Sequence, residues 1–301
     1  MSGTARRIEA RVFASLPAEL HHRGPPTEWV KVTRPGMQLH SFIEGPCFDA
    51  AGNLWLVDVP YGRIFRVDPA GDWSLVHQYD GEPHAIRIRP DGRFIIADHR
   101  RGLLAFDPVD KGVEVICTDV NTEPFRGLSD LAIASNGDIW FTDPGRSSLS
   151  DPTGRVLRLR QGESAPQVVL ANVPYPNGVA LGADGRRVFV SATRANAVWS
   201  LLAEAPDPVF PMAGVHIQLS GGLGPDGLAT SASGLLAVAQ AQAGRAYLFD
   251  AVGDMIADIR TPSGNWTTAC TFGPDGSELF ILEAETAAIF RADLGELKGP
   301  A

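Results

Sequence analysis

Cysteine is scarce in this chain of 301 residues. Cys47, Cys117 and Cys270 stand far apart, too few for a disulfide framework and without the close pairing of a metal clip. That scarcity fits a reducing cytoplasm. Long apolar runs are missing too: nothing approaches the roughly 18 residues of a membrane span, and Glu9 and Arg11 break the start before a signal-peptide core can form. Basic charge is also in short supply, with 26 Lys and Arg against 35 Asp and Glu and a net charge of −9. Such a surface repels nucleic acid and anionic membrane, which leaves a small molecule or another protein as partner. A helical period of 3.6 residues is absent over any useful length, which excludes a helical solenoid.

What is present is a phrase that returns. "EGPCFDAAGNLWLVD" at 44–58 is followed by "PHAIRIRPDGRFIIAD", "LSDLAIASNGDIWFTD", "PNGVALGADGRRVFVSA", "PDGLATSASGLLAVAQ" and "TTACTFGPDGSELFILE". Alignment on the turn glycines Gly52, Gly92, Gly137, Gly185, Gly234 and Gly276, with a step back of eight residues, reaches Glu44, His84, Ser129, Asn177, Asp226 and Thr268. Their separations by subtraction are 40, 45, 48, 49 and 42, the period of a propeller or array. Each unit holds four short β-rich runs divided by Gly, Asp and Pro. Six such units predict an all-β fold, a six-bladed β-propeller of four antiparallel strands per blade filling residues 1–301 as one domain. The last unit is one strand short after "AAIFRAD", and "ARVFASL" at 10–16 is expected to supply that outer strand and close the ring.

In a propeller the first strand of each blade lines the central channel, so the six residues reached by the alignment form a ring at one mouth. The second strand runs back to the same face and brings Asp58, Asp98 and Asp143 with it. None of the six ring residues is apolar, and none is Lys or Arg. A wet channel tolerates any polar side chain, but a buried carboxylate must be paired or metal-bound. Glu44, Asp226 and the amide of Asn177 fit a hard divalent cation, calcium ahead of zinc, magnesium or manganese.

"EGP" at 44–46, "SNGDIWFTDP" at 135–144, "YPNGVAL" at 175–181 and "GPDGLA" at 224–229 resemble the senescence marker protein (regucalcin)/gluconolactonase family of six-bladed propellers. The likeness spans nearly the whole chain. Its members hold one divalent metal in the channel through a Glu, two Asn and an Asp, and many hydrolyse sugar lactones. The resemblance implies Glu44, Asn177 and Asp226 as metal ligands, with Asp226 also the general base. The family's other asparagine falls at Ser129, which departs from the pattern: Ser129 ligates through its hydroxyl or a water, the adjacent Asp130 substitutes, or the metal binds more weakly.

A lactone must have its carbonyl polarised, a water activated and its ring oxygen protonated; a metal ion and a carboxylate base supply these. His84, Arg126, Asp130, Tyr175 and Thr268 are expected to contact substrate around the mouth. Phe125 and Trp266 stand in neighbouring loops, and the long connection 21–42 is a candidate cover. The expected activity is therefore a metal-dependent lactonase acting on a small sugar-type lactone. Rival readings are a related esterase or phosphotriesterase, strictosidine-synthase-like chemistry, or a non-catalytic binding propeller.

Overall fold

The six turn glycines of the repeat all adopt positive φ, between 67° and 88°, a region that an L side chain enters only with strain. Five of the turns are tightened by an Asp or Asn that accepts the backbone N–H two residues ahead: Asp49, Asp91, Asn136, Asp184 and Asp275. In the fifth unit Ser231 Oγ instead accepts from Leu235 N, four residues ahead, at 3.0 Å. Local turn chemistry thus fixes the reversal between first and second strand in every unit.

The computed structural model describes residues 5–204, 212–295 and 297 and is a six-bladed propeller. Each blade is a simple antiparallel meander running outward from an inner strand. The inner strands are Ile43–Phe48, Pro83–Ile88, Leu131–Ile133, Pro176–Leu181, Gly224–Thr230 and Thr267–Phe272, and they neighbour one another in a closed circle. Arg11–Ser15 pairs antiparallel with Ala288–Asp293 as the outer strand of the sixth blade, as the sequence predicts. The sequence reading missed a second contribution: Arg6–Glu9 adds a fifth strand, parallel to Met255–Arg260, to the fifth blade.

Both faces of every blade are covered, because its sheet is sandwiched between two others. Second strands such as Leu54–Asp58, Phe94–Asp98 and Ile139–Asp143 are consequently buried at every residue, and read as continuous apolar runs instead of alternating ones. Among the described residues there is one apolar cluster between each neighbouring pair of blades: Trp55 and Ile96 between the first and second, Leu131 and Ile95 between the second and third, Val156 and Val190 between the third and fourth, Val198 and Val238 between the fourth and fifth, Leu248 and Ile281 between the fifth and sixth, and Leu56 and Leu282 between the sixth and first. The core is a ring around the channel, which is why a polar channel costs the fold little.

The acids at the ends of the second strands pin the loops that enter the inner strands. Asp58 accepts from Phe42 N at 2.6 Å, Asp98 from Glu82 N at 2.9 Å, Asp143 from Gly127 N at 2.9 Å, and Glu283 from Trp266 N at 2.9 Å. The donor is in each case two residues before the ring position. Asp58 and Asp143 are buried beside Arg63 and Arg155 at 2.5 Å, so their charges are met inside the blade and not in the channel.

Candidate active site

Glu44, Asn177 and Asp226 are each followed by glycine, and packing explains why. A Cβ on Gly45 would lie 2.4 Å from Ala85 Cα, one on Gly178 2.2 Å from the Asp226 carbonyl oxygen, and one on Gly227 2.8 Å from Ala269 Cα. At each point the inner strand of the next blade leaves no room for a side chain. The pairing slips here as well: bulges fall between Glu44 and Cys47, Pro176 and Val179, and Pro225 and Leu228. A bulge re-aims the residue it contains. Here it turns the three oxygen-bearing side chains toward the axis.

They meet around a cavity of about 10 Å³, lined by Glu44, His84, Arg87, Asp130, Asn177 and Asp226 among others, room for roughly one water or one ion. Asp226 Oδ1 is buried and has no hydrogen-bond partner among the described residues. Burial pushes both Glu44 and Asp226 well above the ordinary carboxylate range, with Asp226 and Asp130 adding to the effect on Glu44 and Asp130 to that on Asp226. Acids pressed together out of water with too little positive charge are the electrostatic condition that a bound cation relieves. Among the described residues no three His, Cys, Asp or Glu side chains form a metal cluster; the donors here are two carboxylates and an amide. All are oxygens, so the set fits a hard divalent ion.

Ser129 does not line this cavity. Its Oγ donates to Asn177 Oδ1 at 2.5 Å, which fixes the amide's orientation. Asp130 does line it, but Oδ1 accepts from Arg87 Nη2 at 3.0 Å and Leu131 N at 2.8 Å, and Oδ2 from Val179 N at 3.1 Å. His84 Nδ1 lies 3.9 Å from Glu44 Oε1. Burial, then His99, lowers the imidazole well below its usual value, so this is contact with a neutral ring, not an ion pair. Its Nε2 is buried and unpartnered among the described residues. Burial and the charges of Asp226 and Glu44 push the Tyr175 phenol up to about 12, which keeps it a hydrogen-bond donor.

Two expected contacts are engaged elsewhere. Thr268 is fully buried, and its hydroxyl donates to the Ile43 carbonyl at 2.9 Å, stitching the sixth blade to the first. Arg126 reaches outward to Glu123 at 2.8 Å and to the Thr153 carbonyl, away from the cavity. Sequence reasoning missed Arg87, although a signal existed: it is the only cation within the inner strands.

The connection 21–42 folds over the mouth. It carries a short helix, Glu28–Thr33, started by Thr27, whose Oγ1 accepts from Val30 N at 3.4 Å. Trp29, Val30, Leu39 and Phe42 pack with Val59, Ala284 and Trp266 as a separate apolar cluster. Trp29 also approaches His84, with ring centroids 6.3 Å apart. Arg34, just past the helix, lies 3.2 Å from the Trp266 ring centroid and within range of the charges of Asp226 and Glu44.

Fold and ring together define a six-bladed propeller with an acidic, oxygen-lined pocket under a cover. Residues 42–285 match the family described as SMP-30/Gluconolactonase/LRE-like region, and the chain belongs to it. The lactonase drp35 of Staphylococcus epidermidis is 30% identical over 267 residues, covering 84% of this chain and 80% of that protein. Lactonase drp35 of Staphylococcus aureus is 29% identical over 246 residues, covering 78% and 73%. Two solved structures share the fold: a gluconolactonase from Xanthomonas campestris, with TM-score 0.75, 21% identity and coverage of 93% and 98%, and the calcium-binding regucalcin from Agrobacterium tumefaciens, with TM-score 0.75, 21% identity and coverage of 99% and 98%. No helix among the described residues is long and apolar enough to cross a membrane.

Proposed function

We propose that this protein is a metal-dependent lactonase that opens a small lactone to its hydroxy acid at the channel mouth. The observation that carries the reading is the buried Asp226 Oδ1, unpartnered among the described residues, beside Glu44 and Asn177 at an ion-sized cavity. Membership of the family and a 30% identical relative named a lactonase support the choice of substrate class.

Glu44, Asn177 and Asp226 would hold the ion, and Ser129 would keep the Asn177 amide oxygen turned toward it. When bound, the ion polarises the lactone carbonyl and acidifies a water. Asp226 would take a proton from the attacking water as its oxygen adds to the carbonyl carbon, and return it to the ring oxygen as the C–O bond breaks. His84 Nε2, unpartnered among the described residues, and the Tyr175 phenol would bind substrate oxygens. Arg87 holds Asp130 in place beneath the pocket, and the cover limits access of bulk water.

The test is elemental analysis after loading with calcium, zinc, magnesium or manganese, paired with a lactone panel followed by a pH indicator. One ion per chain, a higher melting temperature with the ion present and turnover of at least one lactone are expected. A fully loaded protein inert toward the whole panel, or one whose melting point ignores every ion, would sink the reading.

A further inference from the structure

Three buried arginines of this protein use the same edge of the guanidinium, Nε with Nη2, to fork onto an aspartate. Arg63 sets these atoms 2.6 and 2.5 Å from Asp58 Oδ2, Arg155 sets them 2.9 and 2.5 Å from Asp143 Oδ2, and Arg158 2.8 and 2.5 Å from Asp138 Oδ2. Arg34 has the same edge buried, yet neither Nε nor Nη2 has a partner among the described residues. The side chain is not loose. Its guanidinium lies 3.2 Å from the Trp266 ring centroid and 5.0 Å from that of Phe42, and its backbone N–H closes the covering helix on the Val30 carbonyl at 2.8 Å. Two desolvated donors of a charged group are costly to leave unmet. The carboxylates around them do not bond to these donors: Glu285, whose charge acts on Arg34 most strongly, accepts instead from Asn265 N at 3.4 Å. Glu283 is committed to Trp266 N and Thr286, while Glu44 and Asp226 lie close enough to act on the Arg34 charge without bonding to either bare donor.

We infer that the Arg34 edge seats a carboxylate of the substrate, so that the lactone opened here is an acidic one, the monolactone of a dicarboxylic sugar acid. The inference rests on the lactonase reading and extends it. Arg34 lies within range of the charges of Asp226 and Glu44, so a small lactone whose carbonyl sits at the oxygen ring has a substituent left to reach the fork. A planar carboxylate matches the fork with two parallel hydrogen bonds. In a protein of net charge −9 the general field repels an anionic substrate, and a dedicated cation at the mouth answers that repulsion.

The experiment compares glucaric acid γ-monolactone with glucono-γ-lactone on the ion-loaded protein and on Arg34→Met and Arg34→Lys. The parent should favour the acidic lactone in kcat/KM. Arg34→Met keeps the stem but not the fork, and should lower the ratio of the two kcat/KM values about 10²-fold, mainly through KM for the acidic lactone; Arg34→Lys should recover part of it. A parent that prefers the neutral lactone, or an Arg34→Met variant that loses both in equal proportion, overturns the inference. If neither lactone is turned over, the wider lactone panel decides the lactonase reading and calorimetry with open-chain glucarate decides this one. Binding that Arg34→Met abolishes supports it, and no binding to the parent defeats it.

Discussion

At Gly178 one methyl group is enough to disturb the site, although glycine supplies no side-chain donor to it. Its Cβ would meet the carbonyl oxygen of Asp226 at 2.2 Å, so Gly178→Ala must push the fifth blade's inner strand away from the axis. Overpacking of this kind costs about 1–3 kcal/mol, and here the strand displaced carries a proposed ligand. The variant should melt lower and gain less from calcium than the parent, whereas Gly214→Ala, with nothing within 4 Å of its Cβ, should match the parent in both. Asp226→Asn tests the chemistry itself. Size is kept and the base is lost, so turnover should fall at least ~10²-fold; parent-like turnover with the ion bound would refute the role given to Asp226. Glu44, Asn177 and Asp226 were legible in the sequence because the turn glycines put the repeat in phase, and the glycine after each is a trace of the crowded axis. Ser129 was found as a position but not as a role, since its bond to Asn177 joins residues from two blades. Arg34 left no trace, because its meaning comes from Trp266, which lies in a distant part of the chain.

The cover is the element whose stability should follow pH. His21 stacks on His40 with centroids 4.0 Å apart, and His22 stacks on Tyr61 at 3.8 Å. Tyr61 Oη donates to the Leu39 carbonyl at 2.5 Å, and Arg63 donates to the Leu20 and His40 carbonyls at 2.5 and 3.0 Å. These bonds hold the two ends of 21–42 together. Burial lowers the His40 imidazole below 6.5, and His21 and Arg63 lower it further. The released form therefore binds a proton more readily than the docked one. The docked cover is fully stabilised above about pH 6.5, and that stability is lost as pH falls toward the lowered folded value. Amide exchange at 28–34 should accelerate relative to the blades on going from pH 7.5 to 5.5 after correction for intrinsic rates, and His40→Gln should flatten the difference. Equal protection at both values would disprove the pairing as the cause. A six-residue helix has too few turns to show a period, which is why the sequence marked 21–42 only as a long connection. The parallel strand Arg6–Glu9 escaped for a similar reason: four residues, three of them charged, carry no strand pattern.

For the whole molecule, the two N-terminal strands divide the closure between them. Arg6–Glu9 adds an edge to an already complete fifth blade and buries Ile8 beside Ala257 and Ile259. Arg11–Ser15 instead completes the sixth blade, and Ala14 and Leu16 pack with Leu56, Phe65 and Ile289 in the cluster that joins the last blade to the first. Because the core is a ring of inter-blade clusters, opening one junction removes a restraint that every other blade feels through its neighbours. Removal of residues 1–9 should cost on the order of 2 kcal/mol, the burial of one isoleucine, and lower the melting temperature by a few degrees. Removal of 1–17 should cost several times as much. It strips the outer strand from Ala288–Asp293 and leaves an unpaired apolar edge, which promotes association as well as unfolding. A synthetic peptide of residues 6–17 added to the longer truncation should restore the melting point in a concentration-dependent way, since it binds only the folded ring. If the two truncations melt alike, or the peptide has no effect at any concentration, the strand Arg11–Ser15 is a decoration of the sixth blade and the ring closes without it.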